Sequence, residues 1–405
     1  MRACMVTYSV YDGDNRVRRY AETLVKRGYH VDAVAIWRGG ERKENSVVNG
    51  VNVFRIQGRV KNEKSKFVYL AKLLLFFWRS MLFVSRRHWR ARYDLIHVHS
   101  VPDFEVFAVW YPKLTGAKII LDIHDIVPEF YASKFNVSRK SLAFKFLVAV
   151  EQLAIAFSDH VIASNHIWEK RLKERSVAAS KITTIINFPD TEVFQPQSRT
   201  RNDGKFILLY PGTLNYHQGL DIAVRAFSRI RNEVPEAEFH IYGSGDQLAY
   251  LKSLVAELGL ENQVLFKGSR VVEQMVRVIE DADLGIVPKR KNGFGNEAFS
   301  TKILEFMAMG VPVIIPDTDV DTYYFNDSVA KFFQANNDES LADSMLLLIK
   351  NPEVRQSFVR NASEFVKKYT WGANQSIYLV LVDSLLTSRE GRHAITVPRK
   401  TDGSR

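Results

Sequence analysis

The stretch LGIVPKRKNGFGNEAFSTKILEFMAMGVPVIIP, residues 284–316, decides how the rest of the chain is read. LGIVP ends a short apolar strand, and KRKNGFGNEAF is a glycine-containing loop. Ser300 stands where it can cap a helix running to about Met309, and Gly310 ends that helix before a second strand, VPVII. Strand, loop, helix and strand in this order form a parallel α/β unit. A helix that starts at the carboxyl edge of a parallel sheet offers free backbone N–H groups and its positive dipole end, a ready anion site. Lys302 adds a full charge in its first turn. Glu297 precedes the helix and Glu305 lies one turn inside it. Neither acid binds a phosphate, but each accepts hydrogen bonds from hydroxyl groups. The spacing therefore fits a diphosphate at the helix start with one acid on a sugar and the other on a ribose. The plainer alternative is an acid that stabilises the helix dipole plus a solvated glutamate.

Working outward, the same alternation fills both halves. RACMVTYS, HVDAVAIW, LIHVHS, KIILDIHD, HVIAS and ITTIIN read as buried strands, with helices expected at 15–27, 104–115 and 142–157. The pattern stops at NFPDTEVFQPQSRTRNDGK, a polar linker with prolines. It restarts with FILLYPG, EFHIYGSG, QVLFKG and the opening stretch, separated by helices at 220–234 and 246–258. After Asp338 the chain reads as all helical. A last helix near 371–386 is expected to cross back over the seam, and the polar tail behind it to fray. The expected architecture is α/β: two facing, doubly wound, Rossmann-like domains, residues 1–196 and 197–370, followed by the crossing helix and tail, 371–405. Ligands belong in the cleft between them, at the carboxyl ends of the strands.

Composition bounds the function. A chain of 405 residues with 46% hydrophobic and 25% charged content is globular and too long for one core. Its only cysteine, Cys4, lies in the apolar run ACMV, which excludes an intramolecular disulfide and a cysteine metal cage. Asp12 and Asp14 follow the first apolar run too closely for an export signal, so a cytoplasmic setting is expected. The net charge of +11 is lopsided: residues 1–200 hold 32 bases against 19 acids, and residues 201–405 hold 24 against 26. Eleven bases and one acid, Glu63, fall between Arg55 and Arg92. Such a patch attracts phosphates of nucleic acid, anionic lipid or a diphosphate ligand.

Taken jointly, several motifs are more specific than any one of them. The pair Glu297 and Glu305 matches a Glu-x7-Glu motif. KILEFMAMGVPVI, NFPDTEVFQP, YPGTLNYHQGLDIAVRAF and IYGSGDQLAYLKSLVAELGLENQVLFKG each follow a known pattern, from residue 1 to about 370. In these the chain resembles glycosyltransferase family 4, the retaining nucleotide-sugar transferases of GT-B fold. The resemblance implies that Glu305 binds the ribose and Glu297 the donor sugar. It implies that Phe299, Ser300, Thr301 and Lys302 hold the diphosphate, that Gly212 and Thr213 face it from the other side, and that Arg270 meets the base. DIHDIVPE matches the family's cleft-facing histidine, which puts His124 near the reacting carbon, and the loop YDGDNR brings Gly13 toward the diphosphate or acceptor. One departure stands out. Where the family often has arginine and lysine in a G-R-L-x3-K-G loop, this chain has Thr213 and Gln218. The missing charge must come from elsewhere: Lys302 first, then His217 or Arg16.

No metal is expected to assist, since GT-B transferases work without one. Asp-x-Asp in PDTDVD, residues 316–321, lies beyond the motif helix and reads as a surface loop. His97 and His99 alternate with apolar residues on a strand, which suits packing or a cleft edge better than metal ligation. GSGD at 243–246 lacks the spacing and lysine of a phosphate-binding P-loop.

The segment KNEKSKFVYLAKLLLFFWRSMLFVSRRHWRARY raises the question of a membrane. Lys72 and Arg79 oppose a span, each costing about 2.5–3.5 kcal/mol near a bilayer centre. A helix lying in the interface fits better, with Phe76, Phe77, Trp78 and Trp89 dipping in and Arg79, Arg86, Arg87, Arg90 and Arg92 on anionic headgroups. An acceptor carried by the membrane, such as a lipid-linked sugar, follows. The bland alternative is a helix packed on the first sheet with its bases solvated. Two rival functions remain: a nucleotide-sugar epimerase on the same scaffold, and a nucleic-acid-binding protein. The second calls for stacking aromatics along a groove, whereas these aromatics cluster in one helix.

Overall fold

The computed structural model describes residues 1–39, 45–59, 66–135, 137–190, 193–196 and 201–393. The tail beyond 393 and part of the expected linker (191, 192 and 197–200) lie outside the described residues. The first lobe holds β1 (Arg2–Val10), β2 (His30–Arg38), β3 (Ser46–Val48), β4 (Val51–Arg59), β5 (Leu95–His99), β6 (Lys118–Ile123), β7 (His160–Ala163) and β8 (Ile182–Thr184). They form one sheet in the order β3-β4-β2-β1-β5-β6-β7-β8, parallel except for the β3–β4 hairpin. Along β1, Ala3 and Met5 enter one core while Cys4 and Val6 enter another. Helices therefore cover both faces, and the strands read as continuous apolar runs. These helices are α1 (Asn15–Lys26), α2 (Lys66–Arg90), α3 (Trp110–Leu114), α4 (Val127–Phe135), α5 (Leu142–Phe157) and α6 (His166–Arg175).

The second lobe holds β9 (Phe206–Pro211), β10 (Ala237–Tyr242), β11 (Val264–Phe266), β12 (Leu284–Ile286), β13 (Val313–Pro316) and β14 (Lys331–Phe333). All pair in parallel, in the order β11-β10-β9-β12-β13-β14. Its helices are α7 (Leu220–Ile230), α8 (Leu248–Glu257), α9 (Val272–Glu280), α10 (Thr301–Ala308), α11 (Asp319–Tyr324), α12 (Asp338–Lys350) and α13 (Pro352–Val366). The strand order reverses at β1 in one sheet and at β9 in the other, and crevices open at the carboxyl ends of such strands.

The last helix, α14 (Trp371–His393), lies on the first lobe. Trp371 Nε1 donates to Thr23 Oγ1 at 2.9 Å, Arg27 pairs with Asp383 at 2.7 Å, and the Tyr378 hydroxyl sits 3.2 Å from His97 Nδ1. The chain thus passes between lobes twice, after β8 and before α14. The passages touch, with the Phe188 and Trp371 rings 6.3 Å apart. Arg19 of α1 holds the first passage, donating to Phe188 O at 2.6 Å and to Asn187 Oδ1.

Two expectations need correction. Residues 103–109 form a 3-10 segment ahead of a short α3 rather than one helix. The helix after residue 220 stops at Ile230. β4, not among the expected strands, was hidden because Arg55 and Gln57 occupy inward positions, where Arg55 donates to the Asp12 carboxylate (3.0 Å) and Gln57 to Lys72 O (2.8 Å).

Candidate functional site

Residues from both sheet edges meet between the lobes. On the second lobe β9 is followed by Gly212, whose φ of +150° suits glycine. A Cβ there would stand 2.3 Å from Lys302 Cε, so the lysine lies directly across that backbone. Gly243 makes the same floor possible, since a Cβ on it would strike Gly212 O. Thr213 is exposed on the loop, and its carbonyl accepts from the Tyr210 hydroxyl at 2.7 Å.

At the start of α10, the N–H groups of Phe299, Ser300, Thr301 and Lys302 have no hydrogen-bond acceptor among the described residues. Ser300 takes the N-cap position, but its hydroxyl makes no capping bond; the oxygen is buried and unpartnered, a correction to the expected cap. Lys302 Nζ has a single hydrogen-bond partner among the described residues, Gln218 Oε1 at 3.5 Å. Burial draws its ammonium down to about 8, with Glu305 pulling the other way. Burial likewise pushes the Glu305 carboxyl up, with Lys302 opposing. Uncompensated donors and one cation therefore surround a space that an anion would satisfy.

Glu297 faces the first lobe. Arg171 Nη2 of α6 donates to its Oε1, while Oε2 is buried without a partner. Burial pushes this carboxyl up although Arg171 draws it down. Arg171 also reaches Glu129 at 3.4 Å, which Arg175 holds at 2.6 Å. Around this pair the lobes interlock. Asn165 Nδ2 donates to Glu297 O at 3.1 Å, and Phe294 packs on Phe130 and Trp168 at 5.1 and 5.6 Å. Sequence reasoning missed Arg171, for it lies 126 residues from its partner with no motif to flag it.

On the first lobe His124 follows β6 with a partly exposed ring. Asp122 Oδ2 accepts from its Nε2 at 3.0 Å. The same carboxylate accepts from Arg16 at 2.8 and 2.7 Å and lies 3.2 Å from His99 Nδ1. Burial opposes its charge, yet Arg16 and His124 hold it well below the usual carboxylate range. His97, His99 and Asp122 are close enough to suggest a metal site. The His97 and His99 rings stack at 4.2 Å, however, and Arg16 already supplies the positive charge. Gly13 is exposed ahead of α1, with open space where a side chain would stand. Arg270 is exposed with its guanidinium 5.7 Å from the Tyr242 ring centre.

Two candidate cations drop out. Arg16 is 6% exposed, and Ile185 O takes its remaining terminal nitrogen at 2.8 Å, so it does not reach for phosphate. Burial and the Lys302 charge depress the His217 imidazole to about 4, which leaves it neutral at pH 7. The acids beyond the motif helix are also engaged: Asp319 accepts from Asn296 at 2.7 Å, and Asp321 pairs with buried Lys289 at 2.9 Å.

The α2 residues separate into two faces. Trp78, Arg79, Arg86, Trp89 and Arg90 are exposed and Phe77 is half-buried. Phe76 is fully buried against Tyr8 and cannot dip into a membrane, a correction to the expected roles. Arg87 turns inward as well, pairing with Asp32 at 2.9 Å and lying 4.3 Å from the Phe54 ring centre.

Two doubly wound sheets facing each other across a cleft define the GT-B class of fold. Residues 13–187 match the model of the glycosyl transferase 4-like domain, and residues 192–365 match that of glycosyl transferases group 1. The chain belongs to this glycosyltransferase family, the family 4 type. An uncharacterised glycosyltransferase of Methanocaldococcus jannaschii is 25% identical over 87% of this chain and 88% of its own length. The phosphatidyl-myo-inositol mannosyltransferase of Mycobacterium leprae is 25% identical over 73% of this chain and 75% of its own. Among solved structures, sucrose-phosphate synthase from Thermosynechococcus elongatus superposes with a TM-score of 0.80 at 18% identity, covering 96% of this chain and all (100%) of that one. Anabaena HepE in complex with UDP-glucose gives 0.68 at 15% identity, covering 97% of this chain and 100% of that one.

Proposed function

We propose that this glycosyltransferase is a retaining, metal-independent hexosyltransferase. It moves a sugar from a UDP- or GDP-sugar to a lipid-linked acceptor in polysaccharide or glycolipid synthesis, at the cytoplasmic face of a membrane. The observation that carries the reading is the cluster of unpartnered N–H groups at the α10 start beside Lys302 laid over Gly212. That cluster suits a diphosphate, and the flanking Glu297 and Glu305 suit sugar and ribose hydroxyls. The HepE neighbour supports a nucleotide-sugar donor, and the mannosyltransferase relative supports a lipid acceptor.

In the reaction the bond from the anomeric carbon to the β-phosphate oxygen breaks, and its electron pair leaves with the diphosphate. The acceptor oxygen bonds to the anomeric carbon on the same face, and its proton passes to a phosphate oxygen. Negative charge grows at the α10 start, where Lys302 and the backbone donors are already fixed; one such donor is typically worth about 3–4 kcal/mol. On this reading His124, held by Asp122 at 3.0 Å, serves the donor sugar. These groups supply the charge a metal would otherwise bring.

The reading is tested by incubating labelled UDP- and GDP-sugars with membrane extracts. Label should enter lipid-soluble product; label found only in isomeric nucleotide-sugars would favour an epimerase. Glu297→Gln, which keeps the shape of the side chain, should lower transfer at least about a hundredfold with the fold intact. Near-normal turnover would remove Glu297 from the site.

A further inference from the structure

One layer of the first lobe carries a surface that the site does not use. α2 buries Leu73, Phe76, Ser80, Val84 and His88, one face of a helix lying flat on the sheet. Its opposite face exposes Leu70, Leu74, Leu75, Trp78, Leu82 and Trp89. The stretch Val68–Arg90 has the length and apolarity of a membrane span, with a mean hydropathy of 1.5, yet it is packed along one side.

The stripe continues across its neighbours. The 3-10 segment Asp103–Val109 lies beside α2, with Phe104 and Phe77 ring centres 6.1 Å apart, and Trp89 stacks on Tyr111 of α3. The same segment joins α5 through Phe107 and Phe157, 5.3 Å apart. α5 buries Phe144, Glu151, Ala154 and Ile155 and exposes Leu142, Phe146 and Leu153 by 84%, 68% and 62%. Between the two long helices Leu114 of α3 is 76% exposed. This one layer carries 12 of the 22 large apolar side chains that are exposed among the described residues, so it is a patch and not a scatter.

The charge on the layer identifies what covers it. The acids of α2, the 3-10 segment, α3 and α5 are Asp103, Glu105 and Glu151, and all three are buried. Arg79, Arg86, Arg90 and Lys145 are exposed. A second copy would set base against base. A soluble polyanion would leave the leucines and tryptophans wet. A bilayer with anionic headgroups satisfies both features.

We propose that α5 and α3 join α2 in one continuous docking face, so that the protein lies on an anionic bilayer along this whole layer rather than by α2 alone. The proposal rests on the membrane reading above and extends it to helices with no apolar-basic signature of their own. α5 starts just beyond α4, whose Phe130 packs on Phe294 of the second lobe with ring centres 5.1 Å apart. The docked orientation therefore sets the rim of the cleft close to the lipid surface.

Flotation of the full chain with vesicles of phosphatidylglycerol and phosphatidylcholine in equal parts tests this. Two pairs of changes are compared: Phe146→Glu with Leu153→Glu on α5, and Trp78→Glu with Trp89→Glu on α2. All four positions are exposed, and unchanged thermal unfolding without lipid verifies the fold. Each pair should weaken vesicle binding about tenfold or more, and wild type should ignore pure phosphatidylcholine. If the α5 pair binds like wild type while the α2 pair is released, the proposal is wrong and docking by α2 alone stands. If both pairs bind like wild type, the membrane reading fails with it. A wild-type dimer in lipid-free buffer that the α5 pair converts to monomer would assign the face to a second copy and overturn the proposal.

Discussion

At the scale of single residues, Lys302 connects structure to pH. Burial lowers its ammonium to about 8, so the unliganded protein carries this charge well below that pH and loses it above. A neutral amine cannot stabilise a departing diphosphate. Donor kcat/KM should therefore fall as pH rises through about 8, and Lys302→Arg should move that alkaline limb upward. An unmoved limb would mean that another group titrates. Lys302→Met should cost about 10²–10³ in kcat. Gly212→Ala should act through the same lysine, because its Cβ would stand 2.3 Å from Lys302 Cε. The double variant should then be no slower than Lys302→Met alone; additive losses would show that the two positions act separately. Glu297, Lys302 and Glu305 were legible in the sequence because one short segment carries all three. Arg171 was not, since its pairing with Glu297 depends on how the two lobes meet. Nor could sequence show that Arg16 is spent on Asp122, a partner 106 residues away.

At the scale of elements, α2 covers an acid that is costly to ionise. Burial, only partly offset by the Ser80 hydroxyl, pushes Glu105 up to about 8. The folded state holds this proton across a range where the unfolded chain, near the ordinary value of 4.5, has released it. Stability from this group is thus present at acid pH and lost as pH rises toward about 8. Glu105→Gln should raise Tm at pH 8 and change it much less near pH 5, measured by thermal unfolding; equal shifts at both would place the effect in packing. Legibility varied among elements for physical reasons. α5 occupies the expected span because Ser141 caps it, accepting from Phe144 N at 3.2 Å, and its apolar run is continuous. β4 escaped because Arg55 and Gln57 point inward, which breaks the apolar alternation that marks a strand.

At the scale of the whole molecule, α14 belongs by sequence to one lobe and by contact to the other. A chain ending at residue 370 would strip Thr23, Arg27 and His97 of partners and expose the face that Tyr378 and Val382 cover. Its Tm should drop by about 10 °C or more, and an unchanged Tm would deny the helix a structural part. The pair of doubly wound sheets was readable from the alternation of apolar runs. The mutual placement of the lobes was not, because it rests on contacts such as Phe294 with Trp168 that no local pattern encodes. The side-by-side passages at Phe188 and Trp371 have a mechanical result. Like the spine of a book, two adjacent passages favour a swing of the halves about the line through them over a slide of one half past the other. A swing of that kind has to part the contact between Arg171 and Glu297, which ties one half to the other.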